Sequence, residues 1–510
     1  MKKIKIFNIT RDKFIKYLSF TFVCYAIPFA AIYFSNYPYL DDTTRCVMGY
    51  TGFGNDYSRW GSEILSRILQ GSSHLVDTGL TNYLITALIL AISSIILVFV
   101  ISKLSYLTLF VSLLIGLNPW SLGLFSFRFD SPFMALSILM SIVPFLFWRR
   151  APFVMVSFFS LFLMYNTYQA SSGIFLVIFL IKFYRELTQS SNLNKVATDL
   201  IIGGISYLLP TIAYFIQLII VPVATAHSSN STVSSNIFVQ PMINLYLYLT
   251  AVKDNTATLW GILFAVLLIV WIINEITGFG RNIALNILYL FLFLCLTSIC
   301  SFGIYLFLQQ ITPALRYIYG FPFFLSCLAI MLAGSQGEKF KALYFVNKVI
   351  PAVLSFFILQ FCFVYAGVLT NQREALQLQS EKLSDSISNT GLSGSRIFFS
   401  DNLFFDSAQL KNAQRNYPVL KTGYTQLILS NSQSSQELIR LQVMQNMYLN
   451  RHFAGTISDA REQIGEVDQT QLQNIKDGKA IKVLENDQWT IYSSEKEVYV
   501  IAKMSDNSAA

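Results

Sequence analysis

Charge is scarce in this 510-residue chain: 13% of residues are Asp, Glu, Lys or Arg, while 54% are hydrophobic and 15% aromatic. Soluble domains carry about 25% charged residues, so the shortage places the chain in a membrane. Cysteine is rare too. Five of the six (Cys24, Cys295, Cys300, Cys327 and Cys362) fall in hydrophobic runs, Cys46 stands outside them, and residues 371–510 have none. That C-terminal stretch therefore needs no disulfide, and no C-x-x-C metal pattern exists. The three histidines, His74, His227 and His452, lack ligand spacing and point to no metal site. A G-x-S-x-G elbow, a Cys/His nucleophile pair, a nucleotide-binding glycine motif and an internal repeat are all missing.

Long apolar runs are what the chain has instead. They recur near residues 17–35, 79–102, 104–122, 131–148, 152–168, 171–184, 199–223, 257–277, 283–309, 314–333 and 348–369, which predicts about eleven transmembrane helices. The basic start, Met1 to Lys16, leads into the first run without a small-residue cleavage site, so that run is expected to be a retained helix. With the N-terminus cytoplasmic, 16 of the 22 basic residues of 1–370 fall inside and six fall outside: Arg45, Arg59, Arg67, Arg128, Lys253 and Arg316. This follows the positive-inside rule. An odd number of spans then puts residues 371–510 on the outer side.

No Asp, Glu, Lys, Arg or His lies near the middle of any run, although ion-coupled transporters and proton pumps usually need such a group there. Polar residues gather in the outer segments, so the chemistry is expected at the outer membrane face. The first outer loop, 36–78, opens with Tyr39-Leu40-Asp41-Asp42-Thr43-Thr44-Arg45 and continues into Asp56–Leu69, an amphipathic helix with Ile64, Leu65, Ile68 and Leu69 on one face and Trp60 suited to the lipid interface. Transfer to a hydroxyl needs one base, which Asp41 or Asp42 could supply, and a phosphate leaving group needs a cation such as Arg45. The plain alternative is a pair of acids at the start of a helix, in water. Phe127-Arg128-Phe129-Asp130-Ser131-Pro132 reads either as an anion site or as an Arg128–Asp130 ion pair with a helix cap. Thr312-Pro313-Ala314-Leu315-Arg316-Tyr317 brings another outer arginine. Tyr165-Asn166-Thr167-Tyr168-Gln169-Ala170-Ser171 is a hydrogen-bonding aromatic turn that suits a sugar or an interfacial belt. Segment 223–256, with Ser228–Asn236 polar and small, reads as a mobile loop or lid.

Residues 371–510 change composition and predict a small α/β domain. Helices are expected at Asn371–Ser388 and Ser435–Leu449, strands at Arg396–Ser400 and Thr425–Leu429, and a hairpin from Trp489–Tyr492 and Val498–Ala502.

Taken together, the acid pair with its arginine after the first span, the Arg59-Trp60-Gly61 helix, the Phe-Arg-Phe-Asp-Ser-Pro segment and the Tyr168-Gln169 turn resemble the type II O-antigen glucosyltransferases, the serotype-converting Gtr enzymes. That resemblance implies a GT-C fold: an all-α polytopic catalytic domain over 1–370 and an extracytoplasmic α/β domain over 371–510. It also implies an inverting glucosyl transfer from undecaprenyl-phosphate glucose to a lipid-linked O-antigen or other surface polysaccharide. The place would be the periplasmic face of the bacterial inner membrane. By the same resemblance Asp41, then Asp42, is the base. Arg45, Arg128 and Arg316 hold the donor phosphate, Asp130, Tyr168 and Gln169 hold sugar hydroxyls, and Arg59 and Trp60 join the substrate site. No cofactor, protein metal site or nucleic-acid partner is expected, though two carboxylates near a phosphate leave room for a divalent cation. A lipid or oligosaccharide translocase would instead line its spans with polar groups. A scaffold or sensor with an outer binding domain would not need the acid pair.

Overall fold

The computed structural model describes residues 3–4, 7, 9–39, 41–189, 193–224, 232–278, 283–311, 314–335, 341–391, 395–430, 433–449, 464–494 and 497–503. Leu40, His227, 228–231, Arg281, Thr312-Pro313, Lys339, His452 and the tip of the C-terminal hairpin lie outside them. The chain is mostly helical and divides into two units, 1–33 with 50–364, and 34–49 with 365–510.

In the first unit a two-residue ladder, β1 (Lys3–Ile4) with β2 (Ile9–Thr10), precedes α1 (Arg11–Ser35). Helix α2 (Asp41–Met48) belongs to the second unit. The first then continues through α3 (Phe53–Tyr57), α4 (Trp60–Gln70), α5 (Leu80–Ile101), α6 (Tyr106–Ser112), α7 (Leu122–Phe125), α8 (Ser131–Ile142), α9 (Phe153–Thr167), α10 (Ser172–Gln189), α11 (Leu193–Ile220), α12 (Val239–Asp254), α13 (Thr258–Gly278), α14 (Ile283–Cys300) and α15 (Gly320–Gly334). Helix α16 (Lys341–Asn389) begins in this unit. Among the described residues, six helices are long and apolar enough to cross a membrane: α1, α5, α11, α13, α14 and α16. The apolar runs at 104–122, 131–148, 152–168 and 314–333 form shorter apolar helices of 10–17 residues, some ending in 3₁₀ turns.

Helix α5 packs on α8, α8 on α9, α9 on α11 and α10 on α14. Such contacts in an apolar medium depend on small residues and buried hydroxyls. Gly173 on α10 and Gly320 at the start of α15 both lie against the Ser301 carbonyl, and a Cβ on either would stand 1.8 Å from that oxygen. Gly173→Ala should therefore force the α10 contact apart and destabilise the fold by about 1–3 kcal/mol or more. Thermal unfolding followed by gel filtration in detergent checks it, with Gly204→Ala, where an added Cβ meets nothing within 4 Å, as the comparison.

The basic residues separate along α5. At its last turn Lys182 and Arg185 donate to the Val100 and Ile101 carbonyls at 2.5 and 2.6 Å, where the helix dipole favours cations. Nearby on the chain, Arg149 pairs with Glu186 at 2.6 Å and with Asp199. At the first turn of α5, Asn82 donates to the Arg128 carbonyl at 2.9 Å. Arg185, assigned inside from sequence, and the backbone of Arg128, assigned outside, thus touch opposite ends of this 22-residue helix.

Segment 223–256 differs from the expected loop. Most of its second half is α12, whose Asn244 donates to the Leu306 and Leu308 carbonyls at 2.9 and 2.8 Å, and Val233 bridges to Leu308. Exposed Val239, Met242, Ile243 and Tyr246 give this helix an apolar outer face, as expected of a helix lying on a membrane.

The second unit holds the rest of α16, strand β3 (Arg396–Phe399), α17 (Ala408–Asn416), α18 (Gln433–Met444), β4 (Ile464–Glu466), α19 (Gln469–Lys476), β5 (Ile481–Glu485), β6 (Trp489–Ser494) and β7 (Glu497–Ala502). The five-stranded sheet runs β4-β3-β7-β6-β5, with β3 parallel to β4 and β7, and β6–β7 the expected antiparallel hairpin. The strand expected at Thr425–Leu429 is a correction: Thr425–Leu427 is a 3₁₀ turn, because its apolar residues dock singly, with Leu427 and Leu429 buried. Gln372 of α16 holds it, donating to Asp406 at 2.9 Å, while Asp406 accepts from the Leu429 amide at 2.7 Å.

Candidate functional site

A cavity of about 310 Å³ opens in the first unit, and the chain reaches its wall through an unusual turn. Gly52 begins α3 at φ +66 and Ser58 ends it at φ +53, both left-handed. A serine there carries strain of about 1–3 kcal/mol that its surroundings must hold. The Ser58 and Arg59 amides donate to Gly54 and Phe53 at 2.9 and 2.8 Å, and Gln217 reaches the Ser58 hydroxyl at 3.3 Å. This turn carries Asp56, Tyr57 and Arg59 to the cavity wall.

Arg59 is buried. Its Nη1 donates to Asp130 at 3.2 Å, and its guanidinium lies 4.7 Å from the Tyr168 ring centre and 5.1 Å from that of Tyr57. Its Nε is buried without a hydrogen-bond partner among the described residues. Asp130→Ala should strand this charge and cost roughly 3–5 kcal/mol, and Arg59→Met in the same chain should recover most of the loss. Thermal unfolding of the single and double variants reads both.

Opposite stands Arg316, 5.0 Å over Tyr317 and 6.0 Å over Phe127. Tyr168 ties this wall to the turn, its hydroxyl donating to the Arg316 carbonyl at 2.9 Å. Gln169 donates to the Tyr57 carbonyl at 3.0 Å and to the Tyr214 hydroxyl at 2.7 Å. Tyr305 stacks on Tyr317 with centroids 5.4 Å apart. Burial pushes the Tyr168 and Tyr305 phenols well up, against the pull of nearby Arg59, so both stay protonated hydrogen-bond donors near neutral pH. A second cavity of about 300 Å³ shares Phe215, Leu218 and Val223 with the first and is otherwise lined by Ile219, Pro222, Thr232 and Val233. The first cavity, with charged and aromatic groups on its wall, therefore borders an apolar one.

A sequence profile described as Glucosyl transferase GtrII matches residues 30–333, more than half of the chain and every residue of the cavity wall. The chain belongs to the GtrII glucosyl transferase family. No curated protein and no solved structure matches it. The family and the apolar helices together make it a membrane glucosyltransferase.

Of the site residues expected from sequence, this GtrII-family chain places Arg59, Gln169 and Arg316 on one cavity wall, with Asp130 and Tyr168 in contact with Arg59. Arg128 is held elsewhere in the unit: it pairs with Asp77 at 2.8 Å and lies 5.6 Å over Tyr33. Arg128 thus pairs with Asp77, and Asp130 with Arg59. Trp60 packs its ring over Gly54, where a Cβ would come within 2.8 Å of it. Asp41, Asp42 and Arg45 sit on α2 of the second unit, where Arg45 donates to Asp41 at 3.2 Å. In that unit Tyr37 donates to the Gln426 carbonyl at 3.0 Å, and the Gln426 side chain donates to Tyr39, which anchors the chain just before α2. Sequence reasoning missed Asp56, Tyr57, Tyr214 and Tyr305. The first two stood inside the amphipathic helix, and the others inside apolar runs where a tyrosine reads as core.

Proposed function

We propose that the chain transfers glucose from a polyprenyl-phosphate donor, such as undecaprenyl-phosphate glucose, to a hydroxyl of a lipid-linked O-antigen or other surface polysaccharide. The cavity carries this reading: two guanidinium groups, each laid over aromatic rings, line a chamber that borders an apolar one. The donor phosphate sits between Arg59 and Arg316, and its lipid runs along the apolar side.

The acceptor oxygen attacks the anomeric carbon as the bond from that carbon to the phosphate oxygen breaks. The carbon inverts and polyprenyl phosphate leaves. Charge builds on the departing phosphate, where preorganised arginines stabilise the transition state more than the ground state. The acceptor proton goes to one carboxylate, with Asp41 the first choice and Asp42 the second; phosphate is already a good leaving group and needs no acid partner. Arg45 orients Asp41. Asp130 sets the position of Arg59 and keeps its charge compensated. The GT-C architecture, the periplasmic setting of this face and of the C-terminal domain, and a cytoplasmic N-terminus belong to the same proposal.

Membranes carrying the chain, supplied with polyprenyl-phosphate glucose labelled in the sugar and a lipid-linked acceptor, should form labelled acceptor. Transfer from a soluble nucleotide sugar in membranes stripped of polyprenyl phosphate would overturn the donor assignment.

A further inference from the structure

We infer that Asp56, beside the Tyr305–Tyr317 ring pair, forms the subsite for the sugar ring of the donor and sets which sugar is accepted. The inference rests on the donor reading above and deepens it. Asp56 is the one carboxylate among the described residues of the cavity wall. Four other outer acids are ion-paired: Asp41 with Arg45, Glu63 with Arg67, Asp77 with Arg128 and Asp130 with Arg59, at 2.5 to 3.2 Å. Among the described residues, none donates a hydrogen bond to the Asp56 carboxylate or pairs with it.

Its place is nevertheless built. The carboxylate lies over bare Gly52, where a Cβ would stand 2.1 Å from Oδ2 and push it away. The left-handed residues at both ends of α3 fix the backbone beneath it. An uncompensated negative charge in a chamber meant for an anionic head opposes binding unless the ligand supplies donors to meet it. A carboxylate only accepts, and neighbouring hydroxyls of a hexose only need to donate, so one Asp can take two of them. Stacked tyrosine rings offer apolar surface to the C–H face of the same sugar. Gln169 spends its amide protons on Tyr57 and Tyr214, and so frames the subsite without competing for the sugar.

The test uses the purified full chain in nanodiscs and two probes, undecaprenyl phosphate and undecaprenyl-phosphate glucose. Hydrogen bonds to a charged group correspond to about 10- to 100-fold in affinity. Asp56→Asn should weaken the sugar-bearing lipid by that factor and leave the bare phosphate lipid unchanged, whereas Arg316→Ala should weaken both. Equal weakening of both lipids by Asp56→Asn, or of neither, overturns the sugar subsite. So does a loss of turnover with unchanged affinity, which would make Asp56 a proton acceptor instead. Failure of the wild type to bind either lipid defeats the donor reading itself, an outcome distinct from the others.

Discussion

Asp41→Asn is expected to lower glucosyl transfer by about 10²- to 10⁴-fold while leaving the amount of folded protein unchanged, the range a positioned general base contributes. Asparagine matches aspartate in shape and keeps an oxygen for the Arg45 guanidinium 3.2 Å away, so α2 should hold. What it loses is the capacity to take a proton. The Asp41 side chain is half exposed, as a group that meets a substrate hydroxyl must be, whereas Asp42 is buried in its unit. Asp42→Asn is therefore expected to cost folded protein first. Transfer normalised to folded chain, measured for both variants and for Asp41→Glu, separates the roles. Loss confined to Asp42→Asn after normalisation would move the base to Asp42. Full activity in both would leave the pair as helix-start acids, which their place in the first turn of α2 also suits.

The helices were legible because hydrophobic run length is a local signal, and each apolar run did become helix. Their lengths were less so. The runs at 104–122, 131–148 and 314–333 each contain Pro and Ser, and parts of them form 3₁₀ turns or loops, a break that a sum over apolar residues does not register. Helix α12 was missed because the polar stretch before it dominated the segment. The hairpin β6–β7 announced itself by two β-branched, aromatic runs around a polar turn, but the edge strand β5, IKVLE, is charged and exposed and carries no core signal. The site divides the same way. Arginines outside the charge rule were visible one at a time, and Arg59 and Arg316 do share a cavity. Their partners were not visible, because pairing depends on contacts 71 residues apart, such as Arg59 with Asp130. Asp56 was hidden for the opposite reason: an acid at the start of an amphipathic helix looks solvated until the cavity around it is seen.

Arg316→Ala is expected to lower transfer by about 10²- to 10³-fold, the loss typical when one preorganised donor to a developing oxyanion is removed. Arg316 stands on the same cavity wall as Arg59 and supplies a second guanidinium for the phosphate. Arg59 spends one nitrogen on Asp130. The Arg316 guanidinium lies over the faces of Tyr317 and Phe127, which help to orient it. Its backbone carbonyl is fixed by Tyr168, so truncating the side chain should leave the turn in place. Arg316→Lys adds a sharper distinction. Lysine keeps the charge but loses the planar fork and its stacking, so it should recover binding of the lipid phosphate better than it recovers turnover. The effect should appear in kcat as well as KM, since charge on the phosphate grows toward the transition state. A change confined to KM would make Arg316 an anchor for the resting donor, and the stabilising role would then pass to Arg59.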